Sequence, residues 1–213
     1  MKILLFVLGA LVPYLIAAVN PAIFLSKVIY HKDIRTLGSG NPGFTNFKRN
    51  FGNLAWVVLA FDLFKGAVCA LLFGALFYHL VGHEWGQLGA AYAGAFAMLG
   101  HAFPVWYRFK GGKGFLVLMS IIFCVDWRAG LVAFAVLCLF LFTLHYMSLA
   151  TMIAVVCAPI SLFIWKCDSP WVIVLLALSA LFMIVRHKEN IVRLFRGTEH
   201  KFYFRDKTKK KKK

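Results

Sequence analysis

The stretch at residues 54–80, LAWVVLAFDLFKGAVCALLFGALFYHL, decides the fold class of this chain. Its charged residues are Asp62 and Lys65, and nearly everything else in it is apolar. A helix of about 20 apolar residues crosses roughly 30 Å of hydrocarbon, so this stretch is long enough to span a bilayer. Asp62 precedes Lys65 by about one helical turn, and the two side chains can therefore neutralise each other inside a bundle.

Similar apolar stretches recur along the whole sequence. The 213 residues are 62% hydrophobic with a mean hydropathy of +0.78, whereas soluble domains are about 45–50% apolar. We therefore predict an all-α, polytopic integral membrane helix bundle with about seven transmembrane helices. The run at 115–125 is short, and we expect it to be tilted or partly re-entrant. The other runs lie at 3–26, 54–80, 87–107, 129–146, 149–165 and 170–185.

Basic residues are distributed unevenly around these runs. The chain carries 24 Lys and Arg against 8 Asp and Glu, a formal net charge of +16. Seven crossings place 20 basic residues on one side, 3 on the other and Lys65 within a span. The positive-inside rule makes the crowded side cytoplasmic. This predicts a multi-pass plasma-membrane protein with the N-terminus outside and the C-terminus cytoplasmic. The apolar excess favours anionic lipid or phosphorylated substrates over nucleic acid as partners.

The composition changes near residue 200. Residues 1–200 are predicted to form a single membrane-embedded domain. Residues 201–213 are predicted to form a basic cytoplasmic tail, which ends in five lysines. A polybasic segment beside a membrane helix is typical of a disordered tail that lies on anionic lipid headgroups.

The first of three polar clusters on the predicted cytoplasmic side is a glycine-rich loop. It reads GSGNPGFTN at residues 38–46, and Arg49 follows it. Glycines allow tight turns whose N–H groups suit an anionic oxygen, and arginine adds charged donors. The string also matches G-x-G-x-x-G, but a dinucleotide site needs a preceding strand within a βαβ unit. A phosphate loop and a plain interhelical turn both remain as interpretations.

The second and third clusters lie on the same predicted side. GHAFPVWYRFKGGKG at residues 100–114 resembles half of a Walker loop, but no glycine lies five residues before Gly112 and no Ser or Thr follows the lysine. RHKENIVRLFRGTE at residues 186–199 would place His187, Asn190 and either Arg193 or Leu194 on one helical face. Together the clusters predict a cytoplasm-facing pocket for one or more phosphates, without defining the reaction.

The three clusters, in this order and spacing, resemble the motifs of the acyl-phosphate:glycerol-3-phosphate acyltransferases, the PlsY family. Weaker matches are DLFKG at residues 62–66 and YMSLAT at residues 146–151, so the resemblance covers nearly the whole chain. It implies transfer of an acyl chain from acyl phosphate to the 1-hydroxyl of glycerol 3-phosphate. The products would be lysophosphatidic acid and inorganic phosphate, in the first step of bacterial phospholipid synthesis. We expect a monomer that needs no cofactor and no metal ion.

Carried over position by position, the resemblance implies three groups of site residues. The pocket for the phosphates and the reacting hydroxyl contains Ser39, Arg49, Lys113, His187 and Asn190. The phosphate loops contain Gly38, Gly40, Asn41, Gly43, Thr45, Asn46, Gly111 and Gly112. The supporting residues are His101, Ser148 and Glu199. The resemblance further implies no dedicated catalytic base, with a substrate phosphate assisting instead.

Other functions fit parts of the sequence. Residues 115–117 read Phe-Leu-Val where the family usually has Val-Ala-Thr, and His145 stands where it usually has Arg. These departures keep open a divergent paralogue with another phosphorylated substrate. A transporter of an anionic solute would need ionisable groups across the bilayer, whereas the polar clusters collect at one face. A lipid-binding scaffold would not need the pocket residues together. An acyl-CoA enzyme with an H-x-x-x-x-D pair is disfavoured, since no His here has Asp five residues later.

Overall fold

The computed structural model describes residues 1–203, and within this range the chain is helical without strands. Long apolar runs separated by Pro, Gly and polar residues favour this outcome, because helices satisfy their own backbone groups in a bilayer. The helices are α1 (Lys2–Ala17), α2 (Pro21–Tyr30), α3 (Phe44–Phe51), α4 (Ala55–Leu80), α5 (Gly86–Ala102), α6 (Phe115–Val125), α7 (Trp127–Leu144), α8 (Met147–Ile164), α9 (Pro170–Val185) and α10 (Lys188–Phe195).

Most of these helices are long and apolar enough to cross a membrane. Within residues 1–203, five stretches meet this test: Lys2–Tyr30, Phe44–Leu80, His83–Tyr107, Trp127–Leu144 and Met147–Ile164. The bent pair α9 and α10 is a sixth when counted as one span. The prediction of an all-α polytopic membrane bundle is confirmed, and its helix number of about seven is approximate. Helix α6 has 11 residues, so it extends about 16 Å and covers half of the hydrocarbon thickness.

Helices α4 and α5 form the centre of the bundle, with α1 and α6 packed beside them. Small residues allow these helices to approach closely. A Cβ atom at Gly100 in α5 would overlap the backbone of Tyr14 in α1, and one at Gly66 in α4 would overlap Ser120 in α6. Lipid tails are as apolar as the helix surfaces, so the hydrophobic effect does not hold membrane helices together. Close packing of this kind drives their association instead. Helices α7, α8 and α9 complete the bundle, with α8 between the other two.

The charged pair in α4 is buried inside the bundle. The side chains of Asp62 and Lys65 are 2% and 8% exposed, and Asp62 Oδ1 lies 2.8 Å from Lys65 Nζ. Lys65 Nζ also donates a hydrogen bond to the carbonyl oxygen of Val19, 3.0 Å away. The prediction that these two charges neutralise each other in the bundle interior is therefore confirmed.

Breaks between helices meet at one end of the bundle. Between α1 and α2, Asn20 Oδ1 accepts a hydrogen bond from the first turn of α2 (3.0 Å), and Asn20 Nδ2 donates to the carbonyl oxygen of Pro42 (3.2 Å). Asn20 thereby caps α2 and attaches the glycine-rich loop to it. Between α9 and α10 the helix axis bends by 59°. At this bend Arg186 donates to the carbonyl oxygens of Gly111 and Gly112 at 3.2 and 3.1 Å.

Arg35 connects the first polar cluster to the second. Its Nη1 atom donates to the carbonyl oxygens of Tyr107 and Lys110, at 2.9 and 3.4 Å. Asp33 holds the guanidinium through Nη2, 2.6 Å from Oδ2. Hydrogen bonds from Arg35 lower the pKa of Asp33 to about 2, so this pair stays charged at neutral pH. All three clusters therefore meet at the same end of the bundle.

The chain after α10 returns along this end. Phe202 is buried, and its ring lies 6.1 Å from that of Phe44, between ring centroids. The N–H of Phe202 donates to the carbonyl oxygen of His145 at 2.7 Å. Residues 204–213, which hold most of the predicted basic tail, lie outside the described residues. The division into a domain and a disordered tail stays a prediction.

Candidate active site

Three side chains link the second cluster to the third. Lys113 Nζ donates a hydrogen bond to Asn190 Oδ1. Asn190 Nδ2 in turn donates to Glu199 Oε1 at 2.7 Å. Lys113 lies in the loop before α6, Asn190 in the first turn of α10, and Glu199 in the chain after α10. The bend between α9 and α10 brings these three segments together.

Glu199 joins two further side chains to this network. Ser148 Oγ donates to Glu199 Oε1, and Arg193 Nε donates to Glu199 Oε2, each at 2.7 Å. Ser148 lies in the first turn of α8, and Arg193 lies about one turn after Asn190 on α10. The sequence predicted Glu199 and Ser148 as supporting residues but did not include Arg193. The signal for Arg193 was its place on the helical face shared with His187 and Asn190.

The surroundings of Lys113 and Glu199 shift the pKa values of both side chains. Burial lowers the pKa of Lys113 to about 8, and the charge of Arg193 acts in the same direction. Burial raises the pKa of Glu199, but hydrogen bonds from Ser148, Asn190 and Arg193 outweigh it, so this pKa is lowered. At neutral pH the carboxylate is ionised and the amine is mostly protonated. A bound anion would raise the pKa of Lys113, because negative charge stabilises the ammonium form.

His187 lies at the bend before α10 and is buried. Its Nδ1 atom lies 2.8 Å from the carbonyl oxygen of Met183. A carbonyl oxygen only accepts hydrogen bonds, so Nδ1 carries a hydrogen. In the neutral ring, Nε2 is then left as an acceptor that suits a substrate hydroxyl.

Asn46 organises the first cluster from within. Its side chain is buried, and Nδ2 donates to the carbonyl oxygen of Leu37 at 2.9 Å. Its Oδ1 atom accepts from the N–H of Ser39 at 3.1 Å and from Asn50 Nδ2 at 3.2 Å. These bonds occupy the amide of Asn46, so this residue shapes the loop. The residue Ser39 is exposed.

A cavity of about 270 Å³ opens between this loop and the chain after α10. Arg49 lies on its wall and donates from Nη2 to the carbonyl oxygen of His200 at 3.4 Å. Arg49 also lies within electrostatic range of Glu199 and Arg193, so the cavity adjoins the network. The cavity is lined by Gly38, Ser39, Asn46, Arg49, Asn50, His200 and Lys201.

The two glycines of the second cluster pack against the end of α5. The N–H groups of Gly111 and Gly112 donate to the carbonyl oxygens of Ala102 and His101, each at 3.1 Å. Their own carbonyl oxygens accept from Arg186. The assignment of Gly111 and Gly112 to a phosphate loop stays a prediction, and in the structure their N–H groups serve the fold. They hold the loop in place, because their hydrogen-bonding capacity is already used within the protein.

The remaining predicted residues belong to the turn before α3. Gly38 and Gly40 have positive φ angles of 55° and 69°, a region that glycine adopts without strain. The N–H groups of Gly40 and Gly43 bond to carbonyl oxygens within the loop, so they too shape the turn. Asn41 and Thr45 are half-buried beside them.

A bundle of membrane helices with an excess of cationic side chains at one end defines a membrane-embedded protein that acts on anionic ligands. The carboxylate of Glu199 lies among Lys113, Arg49 and Arg193, so positive charge exceeds negative charge there. The family model described as glycerol-3-phosphate acyltransferase matches residues 7–197. The chain belongs to the glycerol-3-phosphate acyltransferase family, and it is an acyltransferase.

Curated relatives agree with this assignment. A glycerol-3-phosphate acyltransferase of Listeria monocytogenes serovar 1/2a is 40% identical over 202 residues, covering 92% of this chain and 96% of the relative. One of Brucella anthropi is 38% identical over 197 residues, covering 91% and 92%. One of Lactiplantibacillus plantarum is 34% identical over 207 residues, covering 96% and 94%.

Two crystal structures of PlsY, an integral membrane glycerol 3-phosphate acyltransferase, share the fold. The glycerol 3-phosphate form is 31% identical with a TM-score of 0.82, over 93% of this chain and 96% of that chain. The lysophosphatidic acid form is 30% identical with a TM-score of 0.78, over 93% and 95%. The helix order described above is thus the fold of an integral membrane acyltransferase.

Proposed function

We propose that this chain transfers an acyl chain from acyl phosphate to the 1-hydroxyl of glycerol 3-phosphate, giving lysophosphatidic acid and inorganic phosphate. The observation that carries the proposal is the network of Lys113, Asn190 and Glu199 beside Arg49 and Arg193. Both substrates carry a phosphate, and these three cations suit two anions held side by side. Family membership and the glycerol 3-phosphate form of PlsY support the acceptor.

The proposal gives each phosphate its own set of donors. One set is the cavity at Ser39 and Arg49, where a hydroxyl and a guanidinium are available. The other set is the ammonium of Lys113, which Asn190 holds at the start of α10 and beside which Nε2 of His187 can accept from the acceptor hydroxyl. Arginine binds phosphate through a planar fork, whereas lysine acts as a point charge that adapts to a moving ligand. The acyl carbonyl carbon would lie between the two sets.

The chemistry then needs little from the protein besides position and charge. The acceptor hydroxyl oxygen attacks the carbonyl carbon of the acyl phosphate, and an ester C–O bond forms. The bond between that carbon and the phosphate oxygen breaks, and the hydroxyl proton passes to a substrate phosphate. Lys113 stabilises the negative charge on the leaving phosphate, and Arg49 holds the phosphate of the acceptor. Holding the two reactants together removes much of the entropic barrier.

The end of the bundle where the three clusters meet is the expected place for this reaction, since the phosphates need water and the acyl chain needs lipid. We infer that this end is cytoplasmic and that the N-terminus lies outside, because 20 of the 24 basic residues fall on one side in the predicted topology. Acyl phosphate is a mixed anhydride and already activated, so we propose that the reaction needs no cofactor. We also propose that the protein acts as a monomer. Family membership favours acyl transfer over transport, over a non-catalytic scaffold and over a divergent substrate.

The test is phosphate release from purified protein supplied with palmitoyl phosphate and glycerol 3-phosphate, with lysophosphatidic acid identified by mass spectrometry. We expect release to require both substrates and to be lost in Lys113→Ala. Palmitoyl-CoA replaces palmitoyl phosphate in a parallel reaction. Turnover with palmitoyl-CoA alone would overturn the proposed donor. A folded wild-type sample without turnover on either donor would overturn the reaction.

A further inference from the structure

A second group of buried polar side chains lies outside the proposed phosphate sites. Asp62 and Lys65 in α4 pair at 2.8 Å, and His101 Nδ1 at the end of α5 lies 3.5 Å from Asp62 Oδ1. All three side chains are at most 8% exposed. Charged groups inside a bundle are costly unless paired. The proposed reaction uses none of them, so their presence requires another explanation.

This group touches the loop that carries Lys113. A Cβ atom added at Gly112 would overlap Nε2 of His101 and lie 3.0 Å from Cε1 of the same ring. The imidazole therefore lies directly against the backbone of Gly112. The carbonyl oxygen of His101 also accepts from the N–H of Gly112 at 3.1 Å. One residue thus fixes the loop through both its ring and its backbone.

The opposite side of the same loop is held by Arg186. Its guanidinium donates to the carbonyl oxygens of Gly111 and Gly112 and lies over the ring of Phe103, 5.1 Å from the centroid. The two glycines are thus enclosed between a histidine from α5 and an arginine from the α9–α10 bend. The next residue in the chain is Lys113, whose amine reaches Asn190.

We propose that His101, oriented by the Asp62–Lys65 pair, is a positioning residue that sets the place of Lys113 through Gly112. This inference rests on the proposed function, because it assigns His101 to the acyl-transfer site. Asp62 gives the ring a fixed charged neighbour on its Nδ1 side, and the opposite nitrogen faces Gly112. Displacing a reacting group by about 1 Å can reduce turnover about 100-fold, so the glycine contact has catalytic consequences.

The experiment adds a methyl group at Gly112 and removes the ring at His101, singly and together. Gly112→Ala places a methyl group where the imidazole lies, and we expect kcat to fall roughly 100-fold. His101→Ala removes the ring, and we expect a smaller loss of about tenfold, since the loop keeps its backbone bonds. The double variant has room for the new methyl group, so its kcat should exceed that of Gly112→Ala at least about tenfold.

Gly111→Ala is the matched control, because the obstacles to its Cβ atom are the carbonyl oxygens of His101 and Ala102 and the ring of Pro104. Removing the imidazole relieves none of these obstacles, so Gly111→Ala with His101→Ala should show no recovery. Equal recovery of both glycine variants would overturn the proposal, since it would reflect general loosening. No recovery at Gly112 would overturn it as well. If His101→Ala does not fold, His101→Asn takes its place, because it is shorter and keeps a polar side chain on the side of Asp62.

The melting temperatures of the same variants distinguish a failure of the proposed acyl-transfer reaction from a failure of the positioning role of His101. A wild-type protein without turnover would overturn the reaction, yet the temperatures would still report the contact. If the melting temperature recovers in Gly112→Ala with His101→Ala but not in Gly111→Ala with His101→Ala, the contact between the His101 ring and Gly112 exists. A recovery of melting temperature without recovery of kcat, in a protein whose wild type is active, would reduce His101 to a structural role and overturn the positioning proposal.

Discussion

The amine of Lys113 and the side-chain carbonyl oxygen of Asn190 are hydrogen-bonded across 77 positions of sequence. Neither residue has the other as a local neighbour, and the bond forms because α10 bends back from α9 by 59°. The bend places the N-terminal turn of α10 over the loop that precedes α6. An activated anionic donor bound there would meet a half-buried ammonium already aligned by an amide.

The Lys113→Met substitution keeps the length and apolar stem of the side chain but removes its charge. We expect kcat for phosphate release to fall by about 100- to 1000-fold, the cost of deleting one donor that stabilises developing negative charge. Lys110→Met is the matched control, because Lys110 is exposed in the same loop, and it should retain wild-type kcat. Similar losses in both variants would mean that the loop acts through overall charge, and Lys113 would lose its special role.

The activity should depend on pH through Lys113. This amine is charged below its pKa of about 8, so kcat/KM should decline as pH rises through that value. Lys113→Arg stays charged throughout, and its profile should lack this decline. An unfolded lysine titrates at about 10.4, so between about pH 8 and 10 this group binds more protons in the unfolded chain and stabilises the fold as pH rises. The decline is therefore separable from unfolding by melting curves across the same range. An unchanged profile in Lys113→Arg would assign the decline to another group.

Much of the fold and of the site composition could be predicted from the sequence. The length of the apolar runs predicts the helices. In lipid every backbone N–H and C=O group must be hydrogen-bonded within the protein, and few structures other than a helix achieve this. The spacing of Asp62 and Lys65 predicts their pairing because helical geometry fixes side chains one turn apart. The role of Gly111 and Gly112 could not be predicted in this way. Their N–H partners are carbonyl oxygens at the end of α5, which become available only through tertiary packing. The ion pair of Arg193 depends on a chain return after α10 that no local pattern specifies.

Glu199→Ala should reduce stability, because three donors converge on this carboxylate. The largest part of the loss comes from Arg193, whose guanidinium would remain without its partner. We expect a cost of about 1–3 kcal/mol in the free energy of unfolding, visible as a lower melting temperature in detergent. Glu199→Gln should be intermediate, since the amide oxygen still accepts from Ser148 or Asn190. The matched control is Glu189→Gln, an exposed position in the first turn of α10, which should leave the melting temperature unchanged. A loss at Glu189 equal to that at Glu199 would contradict the network.

Asp62→Asn should be more damaging alone than together with Lys65→Met. The single variant leaves a buried ammonium whose remaining partner in the described residues is the carbonyl oxygen of Val19. Removing one member of a buried pair costs about 3–5 kcal/mol, because the other charge stays buried without its partner, whereas the double variant leaves no unpaired charge. Thermal unfolding of the two single variants and the double variant closes the cycle. Additive losses would mean that the two charges do not stabilise each other despite their 2.8 Å separation.

Two C-terminal truncations should separate the packed part of the chain end from the basic tail. Removing residues 204–213 leaves Phe202 in place, and we expect the melting temperature and kcat to stay at wild-type values in uncharged detergent. Removing residues 201–213 also deletes the Phe202 ring from its contact with Phe44 and the hydrogen bond to His145. Loss of a buried phenyl group costs about 3–5 kcal/mol in well-packed cores, so this variant should melt at a clearly lower temperature. Phe202→Ala in the full-length chain is the control that assigns the loss to the ring. If both truncations melt alike, the packing of Phe202 contributes nothing measurable and the domain ends at residue 200, as the sequence alone predicts.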